Sequence, residues 1–138
     1  MTQGIGQERA SAAVAAALGR AAEIGVQVSV ALVDVAGLDL VVVRQDGAPG
    51  FTAGIARRKA ATAAAFRRPT AELREINERR PEVIELAGEQ LRFRPTTLGG
   101  GLPVRLDGEV VGGIGVSGAT PEEDTECATA ALTALGSG

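Results

Sequence analysis

The chain has 138 residues and a formal net charge of −3, and 45% of its residues are hydrophobic but only 2% aromatic. This length suits one domain with a sizeable core, whereas the negative charge and scarce aromatic residues argue against a nucleic-acid partner. The single cysteine, Cys127, excludes an internal disulfide, and the absence of histidine removes the usual general base and the commonest metal ligand.

The first half of the chain predicts a helix, a β-hairpin and a second helix. Residues 7–24 are good helix formers with apolar positions on one face. Two β-rich runs on either side of a turn predict a hairpin over 26–44, and a helix follows over 51–66. One stripe of this second helix, at helical spacing, comprises Phe51, Ile55, Lys59, Thr62 and Phe66.

Two short helices and an edge strand are predicted for the middle of the chain. Thr70 is placed to cap a helix over 71–79, and a proline begins another over 81–87. The run 91–97 is typical of an edge strand, because Pro95 has no N–H to donate to a central ladder.

The last part predicts a hairpin and a final helix. An Asp107-Gly108 turn between two β-rich runs indicates a hairpin over 102–118, whose second arm contains several glycines. A capping-box pattern starting at Thr120 begins a helix that ends near Leu135. The order α-ββ-ααα-βββ-α predicts an α+β fold, in which helices pack on an antiparallel sheet.

Lys59 is the only lysine of the chain, and it lies among apolar neighbours. Its amine extends to solvent, pairs with a carboxylate such as Asp34 or Asp46, or meets an anionic substrate as a partly desolvated cation. Without histidine, acid–base catalysis would fall to Lys59, Asp34, Asp46 or Glu109. The sequence leaves these interpretations open.

Glycines and arginines supply the other candidate binding groups. The run 99–101 is followed by a strand, so it matches neither a dinucleotide fingerprint nor a phosphate loop. These glycines and those of the hairpin either admit a flat ligand or let a helix or subunit pack closely. The arginine pairs 57–58, 67–68 and 79–80 form solvated or ion-paired faces, or supply one or two carboxylate-binding forks.

Three further interpretations concern single charged or sulfur-containing side chains. Arg44 is expected to pair with Asp34 across the first hairpin. The acidic start of the last helix, including Asp124, is explained by the helix dipole. Cys127 is expected to be a small buried apolar residue.

An ordered set of short motifs spans nearly the whole chain and resembles the GlcG/HbpS family, often called haem-binding or haem-degrading. The motifs are residues 28–37, 44–48, 59–63, 69–70, 100–104, 107–118 and 123–124. The resemblance implies a profilin-like α/β sandwich with a five-stranded antiparallel sheet, and a homo-oligomer. It makes haem a possible cofactor. Because His and Tyr are absent, axial ligation of its iron would fall to Cys127, Met1 or a weak oxygen ligand.

Two functions are therefore expected. The first is a cytoplasmic, homo-oligomeric small-molecule-binding protein of one domain over 1–138, without a membrane or nucleic-acid partner. Its ligand would be a tetrapyrrole or another flat anion between the second hairpin and the 51–66 helix. The expected ligand contacts are Lys59, Thr62, Arg58, Arg44, Gly99 and Gly100.

The alternative is a small haem-independent enzyme. It would act on an organic acid or a specialised metabolite through Lys59 and a carboxylate, Asp34 or Asp46. A purely structural or accessory subunit is a third hypothesis.

Overall fold

A four-stranded antiparallel sheet lies between two layers of helices in the computed structural model, which describes residues 4–137. The helices are α1 (Gln7–Ile24), α2 (Thr52–Phe66), α3 (Thr70–Arg79), α4 (Pro81–Gln90) and α5 (Pro121–Leu135). The strands are β1 (Ser29–Asp34), β2 (Asp39–Arg44), β3 (Gly101–Leu106) and β4 (Glu109–Ser117). No helix within residues 4–137 is long and apolar enough to cross a membrane.

The sheet has the strand order β2-β1-β4-β3, so the two hairpins meet at its centre. β1 pairs with β4 in a register that sets Leu32 opposite Ile114 and Ala31 opposite Gly115. Side chains alternate between the two faces of a strand. Val30, Leu32, Ile114 and Val116 of the central strands therefore point to one face, and Ala31, Val33, Gly113 and Gly115 lie on the other.

The two faces of the sheet are covered differently. α1 and α5 pack together over the face that carries Val30, Leu32, Ile114 and Val116, and they form the larger hydrophobic cluster with it. α2 covers the other face, where Ala31 and Val33 of β1 meet small residues of the helix. The first layer is a packed aliphatic core, and the second is a close contact between backbones.

Glycines of β4 allow this close contact. A Cβ added at Gly113 would collide with the carbonyl oxygen of Ala60, and one at Gly115 with that of Ala56. Both partners belong to α2, so the helix backbone lies directly on the strand. Of the two interpretations of these glycines, the structure supports close packing of a helix, and no space for a ligand remains between α2 and β4.

Most predicted elements are confirmed, but the five-stranded sheet is wrong. The segment 91–97 forms no strand, since it crosses the outer side of α2, where the N–H of Thr96 donates to Oγ1 of Thr62 at 3.2 Å. It therefore does not extend the ladder at β3. The helix predicted over 81–87 continues past Gly88 to Gln90.

The buried side of α2 also differs from the predicted stripe. Phe51 is 70% exposed, and Ile55 and Phe66 are half-buried. The fully buried residues of this helix include Ala56, Ala60 and Ala63, whose size suits a close approach to the sheet. The aromatic and branched residues therefore lie at the margin of the interface or outside it.

We expect Gly115→Ala to destabilise the protein, because the new methyl group would meet the backbone of α2. Overpacking of this kind costs about 1–3 kcal/mol. Gly19→Ala in α1 is the matched control, since nothing lies within 4 Å of the added Cβ, and there a stabilisation of up to about 1 kcal/mol is expected. Urea denaturation measures both, and equal stabilities for the two variants would refute the close contact.

Candidate functional site

Lys59 is buried and paired with an acid. Its side chain projects from α2 past the end of β4, where Nζ donates to the carbonyl oxygen of Val116 at 2.8 Å and to Oδ2 of Asp124 at 3.1 Å. Lys59 is 3% exposed and Asp124 is 2% exposed. The interpretation that the amine pairs with a carboxylate is confirmed, but the partner is Asp124 rather than Asp34 or Asp46.

Burial of Asp124 opposes ionisation of its carboxyl group, whereas contact with Lys59 favours it. Desolvation raises the pKa of the Asp124 carboxyl, whereas the charge and hydrogen bond of Lys59 act to lower it. The second oxygen, Oδ1, accepts the N–H of Ala119 at 3.0 Å. The pair thus joins α2, the end of β4 and the first turn of α5.

The connection from α4 to β3 closes over this pair. A Cβ added at Gly100, which has φ +118°, would come within 2.9 Å of the Lys59 amine. Oγ1 of Thr70 holds the connection in place, because it donates to the carbonyl of Leu98 at 2.6 Å and accepts the N–H of Gly101 at 3.0 Å. Thr70 lies inside α3 and makes these bonds instead of the predicted helix cap.

The remaining predicted residues lie apart from Lys59. Asp34 accepts the N–H groups of Ala36 and Leu38 within the β1–β2 turn. Arg44 is at the other end of the hairpin, opposite Ser29, and its Nη1 donates to the carbonyl of Ala48. The predicted Asp34–Arg44 ion pair is therefore wrong, because the hairpin separates the two residues by its full length.

The catalytic candidates are likewise dispersed. Asp46 is exposed in the loop after β2, whereas Asp34 lies at the opposite end of that hairpin. The structure does not bring either carboxylate to Lys59. The buried Lys59–Asp124 pair is the arrangement it forms instead.

Arg58 lies in a cleft on the outer side of α2. The cleft has a volume of about 490 Å³ between the first turns of α2 and the connection that leads to β3. We refer to it as the Arg58 cleft; its lining residues are Phe51, Gly54, Ile55, Arg58, Arg94, Pro95, Thr96 and Leu98. Neither of the two arginines that line this cleft, Arg58 and Arg94, forms an ion pair within residues 4–137.

The ligand contacts predicted from the sequence lie in three different places around α2. Arg58 lines the cleft, and Thr62 holds one of its walls through Thr96. Lys59 and Gly100 lie beneath it in the interior, next to Gly99, which packs against Pro121. Arg44 binds the loop that precedes α2.

Known proteins share the sequence pattern and the fold of this chain. Residues 5–133 match the family model described as haem degrading protein HbpS-like. The chain belongs to the HbpS-like family. It is 36% identical over 114 residues to protein GlcG of Escherichia coli K12, and the aligned region covers 82% of this chain and 81% of GlcG.

Solved structures agree with this membership. A double mutant of Streptomyces reticuli HbpS has 36% identity and a TM-score of 0.88, covering 98% of this chain and 89% of that one. A haem complex of PduOC has 30% identity and a TM-score of 0.86, covering 99% of this chain and 98% of that one. The resemblance to the GlcG/HbpS family drawn from the sequence motifs is therefore confirmed.

Sequence reasoning missed one member of the buried pair in this HbpS-like chain. Asp124 lies in an acidic first helical turn, and the helix dipole alone explained its charge. Its neighbours Glu122 and Glu123 are exposed or capping, whereas Asp124 is buried. The signal in the sequence was the single lysine among apolar neighbours, because a lysine buried there needs a carboxylate partner.

Cys127 lies on α5 and is fully buried in the larger hydrophobic cluster, as expected. Desolvation and the nearby charges of Asp124 and Glu126 raise the pKa of this thiol to about 11. It therefore stays protonated at neutral pH and lies on the other side of the sheet from the Arg58 cleft. Within the described part of the chain, no three acidic or cysteine side chains are grouped as metal ligands would be.

We expect Lys59→Met to destabilise the protein by about 3–5 kcal/mol at neutral pH, because it leaves the Asp124 carboxylate buried without its cation. Loss of that cation raises the pKa of Asp124 further. A carboxyl whose folded pKa is raised loses stability as pH rises from its unfolded pKa through its folded one, so the destabilisation should be larger when measured at about pH 8 than at about pH 5.

The double variant Lys59→Met/Asp124→Leu serves as the control, since it removes both charges. It should recover most of the lost stability and should not show the added pH dependence. Chemical denaturation across this pH range measures the three proteins. A single variant as stable as the parent at about pH 8 would contradict a buried ion pair.

Proposed function

We propose that this HbpS-like chain is a cytoplasmic, homo-oligomeric protein that binds a flat, anionic small molecule in the Arg58 cleft, with a tetrapyrrole dicarboxylate as the model ligand. One observation carries the proposal. Arg58 and Arg94, which form no ion pair within residues 4–137, border a cleft that also carries the exposed apolar side chains of Phe51 and Leu98.

The chemistry of the cleft suits a ligand with a flat apolar body and carboxylates at its edge. Phe51 is 70% exposed and Leu98 is 53% exposed, so both offer apolar surface to a ring system. Arg58 and Arg94 provide planar forks that bind carboxylates through two parallel hydrogen bonds. Their position on opposite walls suits a ligand with more than one carboxylate.

The connection that leads to β3 separates the Arg58 cleft from a second depression. That depression, of about 860 Å³, shares Arg94, Pro95 and Thr96 with the Arg58 cleft. Thr62 fixes this shared wall through the N–H of Thr96.

The family supports this ligand class. PduOC, a protein of 30% identity and nearly full coverage, has been crystallised as a haem complex. The family model itself is named for haem degradation. Both observations favour a tetrapyrrole as the first ligand to examine.

The residues present fit the ring and the carboxylates of haem but not its iron. The sequence contains no His or Tyr, so a second copy of this chain cannot supply one either. Cys127 is buried as a protonated thiol behind the sheet, and Met1 lies outside the described residues. In the Arg58 cleft, Oγ1 of Thr96 already accepts the N–H of Leu98 at 3.2 Å. The proposed binding therefore depends on shape and charge rather than on metal ligation.

Exposed apolar residues away from the cleft support self-association. Val35 and Leu38 flank the β1–β2 turn and are 61% and 56% exposed, and Leu86 on α4 is 57% exposed. Strand β2 also forms an edge of the sheet with unpaired backbone groups. Such surfaces are typical of contacts between subunits.

We expect haem and iron-free protoporphyrin IX to bind this protein with affinities within about threefold of each other. Arg58→Gln should weaken both by about tenfold, since it removes charge-assisted hydrogen bonds to a carboxylate. Absorbance titration in the Soret region and porphyrin fluorescence measure the two affinities.

Arg74→Gln is the matched control for this experiment. Arg74 is an exposed arginine of α3 that pairs with Glu78 at 3.6 Å and lies outside the cleft. It should leave both affinities unchanged. A preference of about a hundredfold for haem over the free porphyrin would show metal ligation and would overturn the proposed mode of binding.

The enzymatic hypothesis predicts that Lys59 reaches a substrate carbonyl. Because its amine is enclosed and donates to Val116 and Asp124, we expect borohydride reduction with glyoxylate to leave Lys59 unmodified. Peptide mass spectrometry measures this, with the amino terminus as the reactive internal control. A reduced adduct on Lys59 would favour the enzyme over the binding protein.

A further inference from the structure

We propose a second anion-binding site in this protein, independent of the Arg58 cleft, between the end of α2 and the junction of α3 with α4. It would take an amphipathic monoanion, meaning an apolar aromatic or aliphatic body that carries one carboxylate or sulfonate. We refer to this site as the Arg80 cleft, and its principal lining residues are Phe66, Arg68, Ile76, Arg79, Arg80 and Val83.

The Arg80 cleft has the size of a small-molecule site. Its volume is about 540 Å³, within the range of about 300–1,000 Å³ that such sites span. None of its lining residues belongs to the Arg58 cleft. The two clefts therefore offer separate surfaces on the same side of the sheet.

Positive charge in the Arg80 cleft exceeds negative charge. Glu75 is the one acidic lining residue, and its Oε1 pairs with Nη2 of Arg79 at 2.9 Å. Arg68 and Arg80 form no ion pair within residues 4–137. Two uncompensated guanidinium groups in a chain of net charge −3 mark a local anion-attracting surface.

The backbone at Arg68 and at Arg80 is held in a fixed conformation. Arg68 lies between Arg67 and Pro69. Arg67 ends α2 in the left-handed backbone conformation, with φ +59°, and Pro69 precedes α3. Arg80 joins α3 to α4, with its N–H donating to Ile76 at 2.7 Å and its carbonyl accepting from Val83 at 3.0 Å. Fixed backbone at both positions lowers the ordering cost of binding.

Apolar side chains set the class of ligand. Phe66 and Ile76 are half-buried beside the arginines, and Val83 is 44% exposed on the first turn of α4. Inorganic phosphate or sulfate would satisfy the charges but leave these apolar side chains in water. An apolar body with one anionic group matches both parts of the cleft.

The probe for this proposal is 1-anilinonaphthalene-8-sulfonate, an aromatic monoanion whose fluorescence rises in apolar surroundings. Arg80→Gln and Arg68→Gln should each weaken its binding to the full chain by about tenfold, since each removes a charge-assisted hydrogen bond. Arg74→Gln, on the opposite, solvent-exposed part of α3, should leave binding unchanged. Decanoate should compete with the dye, whereas inorganic phosphate at the same concentration should not.

The same variants separate this site from the proposed function. Because the dye is itself an aromatic anion, the Arg58 cleft is first disabled by Arg58→Gln, and the dye binding that remains is measured. Adding Arg68→Gln or Arg80→Gln to this variant should weaken the remaining dye binding, whereas Arg80→Gln alone should leave porphyrin binding intact. Unaltered dye binding on adding either substitution would overturn the Arg80 cleft. Circular dichroism spectra matching the parent would show that any loss is not caused by unfolding.

Discussion

The direct contact between the α2 backbone and β4 is the constraint on which the rest of this structure depends. Gly113 and Gly115 leave no side chain on that face, and Ala56 and Ala60 of the helix bring their carbonyl groups onto the strand. A helix so close to a sheet cannot also enclose a ligand there. The same approach carries the Lys59 side chain past the end of β4 to the start of α5, where the amine is removed from water.

A buried charge without its partner is costly. Lys59 and Asp124 avoid this cost by pairing with each other where α2, β4 and α5 meet. The pair gives little net stability relative to an apolar core of the same shape, but loss of either partner would leave the other charge buried and unpaired. Thr70 and Gly100 close the connection above it. The solitary lysine of this chain is thereby a structural anchor, and the ligand-binding surface that we propose lies instead on the outer side of α2.

Two of the three arginine pairs on the outer surface share one arrangement. One member of two pairs is engaged in an ion pair, Arg57 with Asp39 and Arg79 with Glu75. The second members, Arg58 and Arg80, line clefts beside exposed apolar side chains. An acidic protein thus presents two separated clusters of unpaired positive charge within residues 4–137.

Local patterns in the sequence determined the helices, both hairpins and the capping box at Thr120, because spacing, turn residues and caps act within a few positions of one another. They also determined the family through the order of its motifs. Only the tertiary structure decided that the segment 91–97 crosses α2 instead of joining the sheet, and that Asp124 is the partner of Lys59. Both outcomes rest on contacts between residues far apart in the chain, and neither propensity nor periodicity contains that information.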